Sequence, residues 1–140
     1  MNRIFWLLIS TVISLDASQD APQPAVVSKN SVLEATTSGS EERAYRLTLA
    51  AGEYARLAVE QRDVDVTIRI LDPAGEVVAE FDSEARRNGT EQVEIVAAEK
   101  PTDWQVRIRA SYPKLPAGRY EVRLQEIRDA TVRDRFAFEA

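Results

Sequence analysis

Four aspartates, Asp63, Asp65, Asp72 and Asp82, stand close enough in sequence to invite a chemical reading. On an extended strand Asp63 and Asp65, two residues apart, share a face. With Asp72 or Asp82 folded alongside, they would offer calcium the hard carboxylate oxygens it prefers. The spacing lacks the alternating ligands and closing glutamate of a calcium loop, so a turn carboxylate and a solvated strand residue are the simpler expectation. Asp63, Asp65 and Asp72 remain as a weak calcium set. A small carboxylate-dependent hydrolase would need two such groups held across a cleft, and a chain of 140 residues reading as a sandwich offers no obvious one.

Nucleophilic catalysis has even less to work with. The chain contains no histidine and no cysteine, which excludes thiol nucleophiles, disulfide staples, zinc-finger spacings and every histidine-based triad. Ser83 and Ser111 sit in neither a G-x-S-x-G elbow nor an S-x-x-K spacing. The sequence therefore predicts no enzyme, no catalytic residue and no cofactor beyond the calcium alternative.

Binding chemistry has more candidates. Tyr112, beside Pro113 in an expected loop, is placed for exposed stacking, whereas Trp104 opens an inward-reading strand and belongs to the core. Arg107, Arg109 and Arg123 would make a basic stripe able to grip an anionic glycan, although Glu121 and Glu94 turn the face into a mixed one. With 23 acidic against 18 basic side chains and a net charge of -5, no nucleic-acid partner is expected.

The elements that must position these side chains are strands. Val64, Val66, Ile68 and Ile70 alternate with Asp65, Thr67 and Arg69, the two-residue period of a surface with one face in the core and one in water. The same period recurs in Tyr45, Leu47 and Leu49, in Ala55, Leu57 and Val59, and in Val77, Ala79 and Phe81. It returns in Val93, Ile95 and Ala97, in Val106, Ile108 and Ala110, and in Tyr120, Val122 and Leu124. All five glycines fall between these segments. Asp72-Pro73-Ala74-Gly75 has the residues of a type I turn, and Asn88-Gly89 those of a tighter one or of part of a wider loop from 83 to 90. If 104–110 and 119–126 pair as a hairpin around Pro113 and Pro116, Arg109 lies beside Glu121. Thr131 with Asp134 three residues on starts a short helix, whose Phe136 and Phe138 need the sandwich or a following domain to pack on.

The amino-terminal segment is set apart from the fold. A basic start at Arg3 precedes residues 4–15, apolar except for Ser10, Thr11 and Ser14, before the run stops at Asp16. That is the length of a signal-peptide core and shorter than the roughly 20 apolar residues of a spanning helix. Residues 1–17 are expected to be a signal peptide cleaved near Ala17, leaving an exported, periplasmic or secreted chain without a membrane span. Residues 18–30, with Pro22 and Pro24, read as a linker, residues 31–126 as the sandwich, and residues 127–140 as the start of a helical segment.

The runs QRDVDVTIRILDPAGEVVAEFDS, WQVRIRA and PAGRYEVRLQEIRDAT resemble the bacterial pre-peptidase C-terminal domain, in the version that precedes tetratricopeptide or caspase-like regions. The resemblance covers residues 31–126. It rests on Asp63 and Asp65 at a strand entry, the Asp72 to Gly75 turn, and the closing strand from Gly118 through Tyr120 and Val122 to Leu124. It implies a jelly-roll-like antiparallel β-sandwich of about eight strands without catalytic activity. It also implies roles in secretion, in supporting a neighbouring domain, or in binding collagen or polysaccharide, sometimes with calcium. No peptidase domain stands between the expected signal and this module, which favours a downstream helical domain of the same polypeptide as its companion.

Overall fold

The computed structural model describes residues 23–82, 86–97 and 99–139, so the expected signal segment lies outside the described residues. Among these the chain forms nine strands and one helix. They are β1 (Ala25–Val26), β2 (Val32–Thr37), β3 (Glu42–Leu49), β4 (Glu53–Arg62), β5 (Val66–Leu71), β6 (Val77–Phe81), β7 (Asn88–Val96), β8 (Thr102–Ala110), β9 (Gly118–Asp129) and α1 (Val132–Glu139). One sheet has the order β1-β3-β8-β5-β6 and the other β2-β9-β4-β7. Only β1 pairs in parallel, on β3; the other pairings are antiparallel. Without β1, the order is that of an eight-stranded jelly roll.

The alternation seen in sequence is what closes the two sheets on each other. Leu57 and Val59 from one sheet meet Ile68, Ile70 and Val106 from the other, all closed to solvent, with Val93, Ile95 and Val122 beside them. Their polar neighbours Arg107, Arg109, Arg119 and Arg123 stand on the outer faces by the same period. Polar contacts cross this core too, among them the Val66 amide donating to Oε1 of the buried Gln61 at 2.7 Å. The hydroxyls of Tyr45 on β3 and Tyr120 on β9 lie 2.8 Å apart, their rings edge to face at 6.4 Å. Burial raises both phenols above their ordinary pKa, so both stay protonated and one donates to the other.

Two tight spots carry their own reasons. In the β5–β6 hairpin the Asp72 carboxylate accepts from the amides of Ala74 and Glu76, at 3.0 and 2.9 Å, and Gly75 takes a φ of 85°. A Cβ at Gly118 would lie 2.7 Å from the carbonyl oxygen of Arg62 and from the backbone of Asp63, so only glycine lets β9 begin there.

Several sequence expectations are corrected by the tertiary structure. Segments 104–110 and 119–126 do not form a hairpin: β8 pairs with β3 and β5, and β9 with β2 and β4, in different sheets. Arg109 therefore stands opposite Glu42 and Thr67, and Glu121 opposite Glu34 and Glu60. Alternation is identical for a hairpin and for a crossing between sheets, so periodicity could not tell them apart. Asn88-Gly89 is not a tight turn but the first two residues of β7, and Gly118 likewise opens β9. Val64 and Asp65 precede β5 rather than belong to it. Within the expected linker, Ala25 and Val26 pair with β3, and Val27 donates to Arg46 at 2.8 Å and enters the core. Strand β9 runs to Asp129, with Gln125 as the extra residue of a bulge that keeps both Leu124 and Ile127 on the core side.

The helix is capped as the sequence suggests. The Thr131 hydroxyl accepts from the Asp134 amide at 3.2 Å, and the Asp134 carboxylate accepts from the Thr131 amide at 2.7 Å. Phe138 packs edge-on against Trp104 at 6.1 Å, whereas Phe136 points outward.

Tyr120→Phe leaves the buried Tyr45 hydroxyl without its partner and is expected to cost about 1–3 kcal/mol in urea unfolding. The Tyr45→Phe, Tyr120→Phe double variant, with neither hydroxyl, should recover part of that loss; a strictly additive double variant would show that the bond carries no coupling.

Candidate functional site

The richest arrangement of charged side chains lies on the outer face of the β2-β9-β4-β7 sheet. Strand register sets Glu34, Glu121 and Glu60 side by side across β2, β9 and β4. Three adjacent glutamates would repel one another, and arginines bracket them. Arg123 contacts Glu121 at 2.9 Å from one side, and Arg62 reaches Glu121 at 3.4 Å and Glu60 at 3.3 Å from the other. The hydrogen bond from Arg123 holds the Glu121 carboxyl below its ordinary pKa.

One row further along, Arg62 and Arg119 face each other directly. Arg62 leans toward the glutamates, and Arg119 has no ion pair among the described residues. Beside this pair is a cavity of about 340 Å³ lined by Arg43, Arg62, Arg119, Glu34, Thr36 and Glu121, among others. Arg43 arrives from β3 in the opposite sheet, so the cavity sits at the rim where the two layers meet. Among the described residues its close carboxylate is Glu41, at 3.7 Å with both side chains about half exposed.

The arginines singled out from sequence are not brought together. Arg107 and Arg109 stand on the outer face of the five-stranded sheet, and Arg123 on the outer face of the four-stranded one, so the core separates them and no common stripe exists. Arg107 shares Glu42 with Arg69: Arg107 contacts it at 3.4 Å, and Arg69 pairs with its other carboxyl oxygen. Tyr112 is half exposed in the loop between β8 and β9. Trp104 faces inward and is buried.

The aspartates are dispersed as well. Asp63 is exposed at a bend with a φ of 60°, its amide donating to the Asn88 side chain at 3.0 Å. Asp72 is occupied in its turn, and the length of β5 separates it from Asp65 by roughly 20 Å. Among the described residues no group of three or more carboxylates is arranged to hold a metal ion. Asp65 is buried, and neither of its carboxyl oxygens has a close hydrogen-bond partner. Burial, followed by the nearby charges of Asp82 and Glu91, raises its pKa; Ser111 and the Arg86 backbone, which lie near, do not offset this.

Arg43, Arg62 and Arg119 escaped the sequence reading because nothing in their spacing links them; only strand pairing and sheet stacking do. Their shared position near segment ends is a signal the sequence does carry: Arg62 and Arg119 stand on the outward side of β4 and β9, and Arg43 on the core-facing side of β3 at its open end.

No protein-family model matches the chain, and no curated protein does either. Solved structures do. The pre-peptidase C-terminal domain of a collagenase from Bacillus anthracis superposes with a TM-score of 0.57 at 14% identity, over 74% of this chain and 95% of that one. Aeromonas hydrophila PliG, a periplasmic inhibitor of g-type lysozyme, superposes with a TM-score of 0.54 at 10% identity, over 73% and 96%. At these identities the likeness is one of fold, and it agrees with the fold kind that the sequence motifs resemble. Among the described residues no helix is long and apolar enough to cross a membrane.

A carboxyl whose pKa is raised by folding contributes most to stability below its unfolded value of 3.8, and that contribution is lost as pH rises through the folded value. Asp65→Asn is therefore expected to be more stable than the parent chain at pH 7, with the difference shrinking below pH 3.8 when melting temperatures are compared across pH. A variant less stable than the parent at pH 7 would mean that the charged form of Asp65 is needed by the fold.

Proposed function

We propose that this chain is an exported, non-catalytic binding module that recognises an extracellular polymer or protein through the rim and outer face of its four-stranded sheet. Residues 1–17 act as the signal peptide and the sandwich of residues 31–126 is the functional unit, delivered to the periplasm or beyond. The observation that carries this reading is the rim cavity, where Arg119 has no ion pair among the described residues while Glu121 beside it is held by Arg62 and Arg123. The fold supports it, since one superposing structure is a domain attached to a collagenase and another is an inhibitor whose target is a protein. The absence of histidine and cysteine leaves few side chains able to run nucleophilic or general-base chemistry near neutral pH.

A second reading is favoured by the helix. Val132 and Phe136, four residues apart on α1, are 71% and 70% exposed. Such a pair makes a small apolar strip suited to packing against a helical region of a longer polypeptide, in which this module would act as a support.

An array of extracellular glycans and matrix proteins is expected to yield a ligand that raises the melting temperature of the chain. Saturation at about a hundred times Kd corresponds to roughly 2.7 kcal/mol of added stability. An array without binding removes the first reading. For the second, Phe136→Asp should leave the isolated chain's melting temperature unchanged but increase the protease sensitivity of a longer polypeptide; equal effects in both would remove it.

A further inference from the structure

Arg62 and Arg119 are direct cross-strand neighbours, an arrangement of like charges that weakens a sheet unless something lies between or over them. The nearby glutamates draw Arg62 away, but nothing among the described residues pairs with Arg119. Arg43 adds a third guanidinium from the opposite sheet, and all three line one concavity of about 340 Å³. That volume lies near the lower end of small-ligand sites and suits about one sugar ring. Each guanidinium is itself a planar fork that can bind a carboxylate through two parallel hydrogen bonds.

The same cavity also contains acceptors. Glu34 and Glu121 line it beside the Thr36 side chain. A dianion such as phosphate would meet the repulsion of these carboxylates. A singly charged acid that also carries hydroxyl groups would present its carboxylate to the arginines and donate its hydroxyls to Glu34 and Thr36. We infer that the rim cavity formed by Arg43, Arg62, Arg119, Glu34 and Thr36 is a subsite for a uronic acid residue of an acidic polysaccharide. This deepens the binding-module reading and rests on it. Arg119 holds the carboxylate with Arg43 behind it, and Glu34 selects for the hydroxylated ring.

The test is calorimetric titration of the full chain with a galacturonate oligosaccharide, an uncharged glucose oligosaccharide of equal length, inorganic phosphate and a polyglutamate peptide. The galacturonate oligomer is expected to bind at least about tenfold more tightly than the other three, with affinity falling as salt rises. Arg119→Gln and Arg43→Gln should each weaken that binding by about tenfold or more. Arg119→Gln should do so without lowering the melting temperature of the unliganded chain, because it removes a like-charge neighbour and breaks no ion pair.

Equal or tighter binding of phosphate, of polyglutamate or of the neutral oligosaccharide would overturn the inference. So would galacturonate binding that survives both arginine substitutions, or no binding by any probe. If galacturonate fails while another ligand from the array binds, this inference falls and the binding-module reading stands. An empty array together with failed titrations removes both.

Discussion

Leu57 and Val59 on one sheet and Ile68, Ile70 and Val106 on the other exclude water from the space between two pleated layers, and the rest of the structure depends on that contact. Burying each such side chain contributes about 1.5–3 kcal/mol, whereas an exposed ion pair contributes about 0–1 kcal/mol. The dozen largest side chains almost fully closed to solvent therefore decide that the chain is a sandwich. The outer ion pairs adjust register and specificity. The Tyr45–Tyr120 bond is an exception, a polar link placed where its alternative is an unpaired buried hydroxyl rather than a hydrated one.

Because the core alone holds the layers together, the outward positions are free to carry charge, and the chain uses them densely. Glu42 serves Arg69 and Arg107 on one face, and Glu121 serves Arg62 and Arg123 on the other. Each acidic side chain balances cations from different strands. Arg119 stands outside this balance, and its neighbour across the strand pair is another arginine.

Several elements are legible in the amino-acid sequence alone. The Asp72 to Gly75 turn announced itself through a carboxylate, a proline and a glycine at the positions that a turn uses, and all the chemistry involved is local. The Thr131–Asp134 cap was legible for the same reason. The alternating segments marked which residues face inward, and those residues are buried except in β6, where Val77 is exposed and Ala79 and Phe81 are half-buried, and at the half-buried Leu124. The Asn88-Gly89 pair misled because a turn-forming dipeptide can also open a strand when a partner, here Gln61 and Arg62 of β4, lies alongside. The bulge at Gln125 was invisible because a one-residue slip is decided by the partner strand, not by the residue itself.

The candidate site was the least legible part. Arg107, Arg109 and Arg123 looked like a group under the assumption that consecutive segments are neighbours, and a jelly roll violates that assumption at most of its connections. The amino-acid order by itself determined which side of most strand segments meets oil and which meets water, the turn from Asp72 to Gly75, and that histidine- and thiol-based chemistry is lacking. These properties depend on residue type and on neighbours a few positions away. Only the tertiary structure decided which strands share a sheet, and so which charges meet. Arg43, Arg62 and Arg119 converge because two layers stack and their rims close, a long-range outcome of burying the core that no local spacing encodes.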